Sequence, residues 1–252
     1  ELGMSLAHLD RQEESLDAFD HVLQIKPDNF DTLHYRARIL DRLDRLNDAI
    51  TGYNQALSFQ PLHVPSLHYK GMTLCRMGRY EDAVKIFDRA LEIDPVYVDS
   101  LFEKGHALIS LGMYREAVKT FDKVLQVEKN HAEAYYYKGL ALASLGRHDD
   151  AIIALGKTLD LDAGNGQAYY QKGLSLAALG RREDAIAAFD HTLEILPRST
   201  ETQLHRGMVL IQLGRYDDAI ESFVKTLEID PSNAEAWYLK GSAFFSLEGY
   251  ED

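Results

Sequence analysis

Apolar residues recur along this chain at steps of three and four for about a dozen positions, break at a short polar turn, resume, and break again. In residues 98–131, Leu101, Gly105, Leu108 and Leu111 form one stripe, and Ala117, Val118, Phe121, Val124, Leu125 and Val127 form another. Stripes at that spacing gather on one face of an α-helix, so the segment predicts two amphipathic helices. Leu111-Gly112-Met113-Tyr114 separates them, and its glycine suits the left-handed conformation that ends a helix. Gly78, Gly146, Gly180 and Gly214 mark the same break elsewhere. Glu14, Asp48, Asp82, Glu116, Asp150, Asp184 and Asp218 open every second helix, where a negative charge favours the positive end of the helix dipole. Pro27, Pro61, Pro95, Pro197 and Pro231 follow most second helices and separate successive hairpins, because proline cannot continue a helix.

These breaks are periodic. Gly3, Gly71, Gly105, Gly139, Gly173, Gly207 and Gly241 differ only by multiples of 34, with Ala37 in the vacant slot. Ser15, Ala49, Ala83, Ala117, Ala151, Ala185 and Ala219 keep the same step, as do Phe19, Tyr53, Phe87, Phe121, Leu155, Phe189 and Phe223. Counted from Phe30, complete copies occupy 30–63, 64–97, 98–131, 132–165, 166–199 and 200–233, with partial copies at 1–29 and 234–252 of a single array. One hairpin of this size cannot bury both its stripes, so the pattern predicts an all-α solenoid of antiparallel helix pairs, each covered by its neighbours. A glycine or alanine in the first helix, facing alanine in the second, is expected to bring the backbones close while the aromatic plugs the gap. Gly156, Gly164 and Gly166, with Ala163 where other junctions carry proline, make the junction after 132–165 the one expected to flex. Residue 1 falls inside a first helix and Glu251-Asp252 reach the start of a second, so the chain reads as part of a longer array.

Trp237-Tyr238-Leu239-Lys240-Gly241-Ser242-Ala243-Phe244 resembles the first half of the tetratricopeptide signature, and Ala219, Phe223 and Pro231 resemble the second. The resemblance covers practically the whole chain. One departure is systematic: the residue before the glycine, usually leucine, is Arg36, Lys70, Lys104, Lys138, Lys172, Arg206 or Lys240. Their stems are expected to pack along the helix with the charge in solvent, paired with nearby acids. The resemblance implies a right-handed superhelix whose first helices line a concave face, and binding of a protein or peptide as the activity.

Forty acidic against 27 basic residues give a formal charge of −13, which repels phosphate backbones and anionic membranes. Nucleic acid is therefore not an expected ligand. Cys75 is the single cysteine and forms neither an internal disulfide nor a thiolate cluster, which suits a reducing, cytoplasmic setting. No apolar run reaches the roughly 18–20 residues that span a bilayer, so no membrane contact is expected.

Residues off the packing stripe of each first helix make a groove that is rich in aromatic side chains. They are His34, Tyr35 and Arg38; His68, Tyr69, Met72 and Arg76; Phe102, Glu103 and His106; Tyr136, Tyr137 and Leu140; Tyr170, Gln171 and Leu174; Leu204, His205 and Met208; and Tyr238 with Leu239. Stacked tyrosines offer ring area and a hydroxyl at low entropic cost, which suits peptide binding, and Tyr136, Tyr137 and Tyr170 are the favoured cluster. Arg38 and Arg76 add positive charge at the N-terminal end for an acidic or amphipathic peptide. The lysine and asparagine set with which some tetratricopeptide co-chaperones hold a carboxylate is missing, and Asn29, Asn130, Asn165 and Asn233 fall at hairpin junctions as turn residues. The ten histidines show no metal-ligand spacing, and Cys75 has no signalled base or oxyanion site, so neither catalysis, a metal nor a cofactor is expected. The expected role is a scaffold or adaptor, with a regulatory or substrate-recruiting region of a larger enzyme or receptor as the alternative. Trp237, Phe244 and Phe245, lacking a covering helix, are expected to support end-to-end self-association.

Overall fold

A computed structural model describes residues 11–248, all of whose regular structure is helical. Gly3, the first-helix position of residue 1 and the Glu251-Asp252 end lie outside the described residues. The chain divides into two compact units, 1–129 and 130–252. In the first, α1 (Gln12–Ile25) precedes the pairs α2 (Phe30–Arg42) with α3 (Leu46–Phe59), α4 (Val64–Arg76) with α5 (Tyr80–Ile93), and α6 (Val98–Ser110) with α7 (Tyr114–Val127). In the second, α8 (Ala132–Ser144) pairs with α9 (His148–Leu161), α10 (Gly166–Ala178) with α11 (Arg182–Ile195), and α12 (Thr200–Gln212) with α13 (Tyr216–Ile229), followed by α14 (Ala234–Glu248). Within each unit a helix packs on its own partner and on the first helix of the next pair, as a solenoid requires.

The turns inside the pairs work as the sequence predicts. Gly78, Gly112, Gly146, Gly180 and Gly214 all have φ between 71° and 74°, and Asp44 adopts the same left-handed conformation at φ 61° where its repeat lacks the glycine. Aspartate is one of the few side-chain-bearing residues that tolerate it. First helices are capped mainly by side chains at the junctions: Asn29 Oδ1 accepts from the Thr32 amide, Asn165 Oδ1 from Ala168 and Asn233 Oδ1 from Ala236. Those asparagines are helix caps as well as turn residues, each satisfying an amide that the helix leaves open. Second helices have no side-chain cap; the residue before each is commonly an arginine that binds the acid three residues on. Arg79–Asp82 and Arg181–Asp184 both close at 2.7 Å. The acids therefore serve the dipole and hold the turn together.

Packing places the ring of the second helix directly against the repeat glycine: a Cβ on Gly71, Gly105, Gly173 or Gly207 would lie 2.5–2.6 Å from Phe87, Phe121, Phe189 or Phe223. Gly139 stands in the same relation to Leu155 at 2.8 Å. Where Ala37 replaces the glycine, the small residue has moved to the other helix, and Gly52 would place a Cβ 3.0 Å from that of Ala37. Val127, assigned to the second stripe, is exposed because it is the last residue of α7.

The remaining glycines separate by their surroundings. Gly166 carries no flexibility requirement, since its missing side chain admits Leu196 to within 2.8 Å of a Cβ position. Gly156 lies inside the unbroken α9 with nothing within 4 Å of a Cβ. Gly156→Ala is accordingly expected to stabilise the second unit by about 1 kcal/mol through helix propensity. Gly112→Ala, equally uncrowded but held at φ 71°, is expected to cost about 1 kcal/mol. Urea titration of the two variants gives midpoint shifts of opposite sign if backbone conformation governs both.

Candidate functional site

In the first unit the first helices α2, α4 and α6 present the predicted groove residues in two layers. The inner layer is buried. His34 and His68 are 5% and 6% exposed, and each imidazole is fixed through Nδ1 to a serine of the following first helix, Ser66 at 2.8 Å and Ser100 at 3.2 Å. Burial, with the nearby His63 and the charge of Arg38, drives His34 down to about 4, and burial lowers His68. Both are neutral packing groups at neutral pH. His63 and Tyr97, which the groove pattern missed, close these clusters at ring distances of 5.2 Å from His34 and 5.6 Å from His68. Their signal was periodic: they sit one repeat apart, at the residue before each first helix.

The outer layer is half-exposed. Tyr35 and Tyr69 rest against the core, and the Arg38 guanidinium carbon lies 4.3 Å from the Tyr69 ring centre and 5.8 Å from that of Tyr35. Arg38 makes no ion pair among the described residues. Arg76 is different, because Asp41 and Asp44 hold it at 2.8 and 2.9 Å. Of the two predicted cations, only Arg76 is held by acids among the described residues. Met72 packs on the core beside Phe87, while Phe102, Glu103 and His106 are half-buried, with Phe102 and His106 rings 4.7 Å apart. Cys75 is driven up to about 11 by burial and by Glu103, which leaves a protonated thiol rather than a nucleophile.

In the second unit Tyr136 and Tyr137 meet edge to face at 5.1 Å and remain half-exposed, with Leu140 beside them in sequence. Tyr170 does not join them at the surface. It is 4% exposed, packed on Phe189 and within 3.3 Å of His205 Nδ1, and burial raises its hydroxyl far above the ordinary range. Leu204 is buried too, whereas Gln171, Leu174, His205 and Met208 are partly exposed. On α14, Tyr238 and Phe245 are open to solvent, while Trp237 donates from Nε1 to the Pro231 carbonyl and stacks under Lys240. Among the described residues no group of three or more histidine, cysteine, aspartate or glutamate side chains is placed to hold a metal ion. No described helix is long and apolar enough to cross a membrane.

Sequence models of the tetratricopeptide repeat match residues 64–95, 102–168 and 166–197, and a TPR repeat model matches 207–247. The chain is a tetratricopeptide-repeat protein. Among solved structures it is similar to MamA from Desulfovibrio magneticus, at 26% identity over 68% of this chain and 97% of that one, with a TM-score of 0.65. It shares its fold with YrrB, a TPR protein with an unusual peptide-binding site, at 22% identity over 75% and 97% of the two chains and a TM-score of 0.66. The C-terminal part of a TPR repeat-containing protein from Cytophaga hutchinsonii superposes over 94% of this chain and 98% of its own, with a TM-score of 0.82 at 16% identity. No curated protein matches. Tetratricopeptide-repeat proteins are in general protein-interaction scaffolds, and this one has their repeats and their fold.

Proposed function

We propose that this tetratricopeptide-repeat protein binds a peptide segment of a partner on the first-helix face of its first unit, and that Arg38 receives an acidic side chain of that segment. The observation that carries the reading is the guanidinium lying without an acid partner over the half-exposed rings of Tyr69 and Tyr35. A cation held by aromatic faces is pre-oriented and incompletely neutralised, so it can bind a carboxylate while the rings take up apolar neighbours. Below it, the neutral His34 and His68 set the positions of the helices that carry these rings. YrrB provides a precedent for peptide binding on this fold, though its site is its own.

The test is fluorescence polarisation on an array of labelled acidic and aromatic peptides, with the binders remeasured on Arg38→Ala and Tyr69→Ala. We expect roughly tenfold weaker binding for either variant, as a lost charge-assisted contact costs, and a strong salt dependence that disappears with Arg38. Peptides that bind the Arg38→Ala variant as tightly as the unaltered chain would place the ligand elsewhere.

A further inference from the structure

The basic residue that precedes the repeat glycine has a fixed acidic partner in several described repeats. Arg36, Lys104 and Arg206 reach the aspartate sixteen positions earlier, on the preceding second helix, with contacts of 2.5–2.6 Å to Asp20, Asp88 and Asp190. At Lys172 the partner slot holds Gly156. Packing does not require that glycine, because a Cβ there would meet nothing within 4 Å. Lys172 makes no ion pair among the described residues. Lys172 instead lines a pocket of about 490 Å³ between α9, α10 and α11. Ile152, Leu176, Ala187 and Ala188 give it an apolar lining. Tyr169 and His191 stand together at its side, their rings 5.0 Å apart. Arg181 at the pocket is matched by Asp184 at 2.7 Å, and His191 Nδ1 lies within hydrogen-bond distance of Glu194 at 3.1 Å.

We propose that this pocket is a binding site for a carboxylate carried on a small apolar group, such as the terminal residue of a peptide or a free acyl amino acid. Lys172 takes the carboxylate in the place that an aspartate fills beside Arg36, Lys104 and Arg206, and the apolar lining takes the side chain. The volume falls within the range of small-molecule sites. One uncommitted cation beside the paired Asp184 matches a monoanion; a phosphate dianion would face that carboxylate with half its charge unmatched. The site lies wholly within the second unit and stands independently of the peptide face around Arg38.

The experiment is an NMR titration of the ¹⁵N-labelled chain with N-acetyl-leucine, with sodium phosphate at equal ionic strength as the comparison. We expect saturable shifts for residues of 152–191 with the acyl amino acid and none with phosphate. Lys172→Gln should weaken binding about tenfold. Gly156→Asp supplies the aspartate that stands beside Arg36, Lys104 and Arg206, so it should occupy Lys172 and weaken binding equally while the melting temperature holds or rises. Two results would overturn the assignment of the site: no shift in 152–191, or a Gly156→Asp variant that binds as tightly as the unaltered chain. Equal binding of phosphate would overturn the carboxylate specificity.

Discussion

Gly105→Ala is expected to destabilise the first unit by about 3 kcal/mol, although alanine is the better helix former by about 1 kcal/mol. The added methyl would sit 2.5 Å from Phe121 Cζ and 2.6 Å from Cε1, and the ring is wholly buried. Close-packed interiors do not absorb such an overlap locally, so α6 must separate from α7. Phe121→Ala removes the obstacle but leaves a cavity, at a cost of about 3–5 kcal/mol. Because the methyl and the ring compete for one volume, the double variant should cost at least 1 kcal/mol less than the sum of the two. Urea unfolding of the four proteins in the cycle supplies the test, and strict additivity would show that glycine and ring do not contact each other in solution. A solenoid distributes such damage between neighbours, so the loss should be largest in amide exchange of 98–127.

The second large effect is loss of stability in mild acid. His34 is buried neutral with its pKa lowered to about 4, against the ordinary 6.5 of an exposed histidine, and His68 and His63 shift in the same direction. The unfolded chain therefore binds protons that the folded chain refuses. The contribution of His34 is fully present above pH 6.5 and is lost progressively as pH falls to about 4, for a total of roughly 3 kcal/mol. The same two slots hold Tyr136 and Ala168 in the second unit, which needs no histidine there. The double variant His34→Tyr/Ser66→Ala should consequently flatten the pH dependence of the first unit between pH 4 and 6.5. Urea midpoints measured across that range decide the matter, and a slope that survives the double variant would assign the acid sensitivity to other groups.

Much of the fold was legible because its rules are local. The turn glycines needed a left-handed residue, and five of them have one; Asp44 shows that the requirement belongs to the backbone and not to glycine. The candidate site was less legible. His34, Tyr170 and Leu204 occupy groove slots in the register and are buried. Helical periodicity assigns a side chain an angle around its own axis, whereas exposure depends on how far the side chains of the next hairpin reach. His34 is covered by contacts that include Ser66, 32 positions on, and Tyr170 by contacts that include His205, 35 positions on. Arg76 likewise occupies a groove slot in the register, yet Asp41 and Asp44, 35 and 32 positions earlier, hold it in ion pairs.

The sequence by itself determined the 34-residue period, the two helices in each unit, the breaks between them and the positions of the small and aromatic residues that let them pack. Each of these follows from forces acting within one hairpin, and the repetition states them several times over. Only the tertiary structure decided which polar groups have partners. Arg36, Lys104 and Arg206 are matched by an aspartate across hairpins, whereas Arg38 and Lys172 have no ion-pair partner among the described residues. Charge neutralisation acts through space over a few ångströms, and neighbours at that range belong to different repeats.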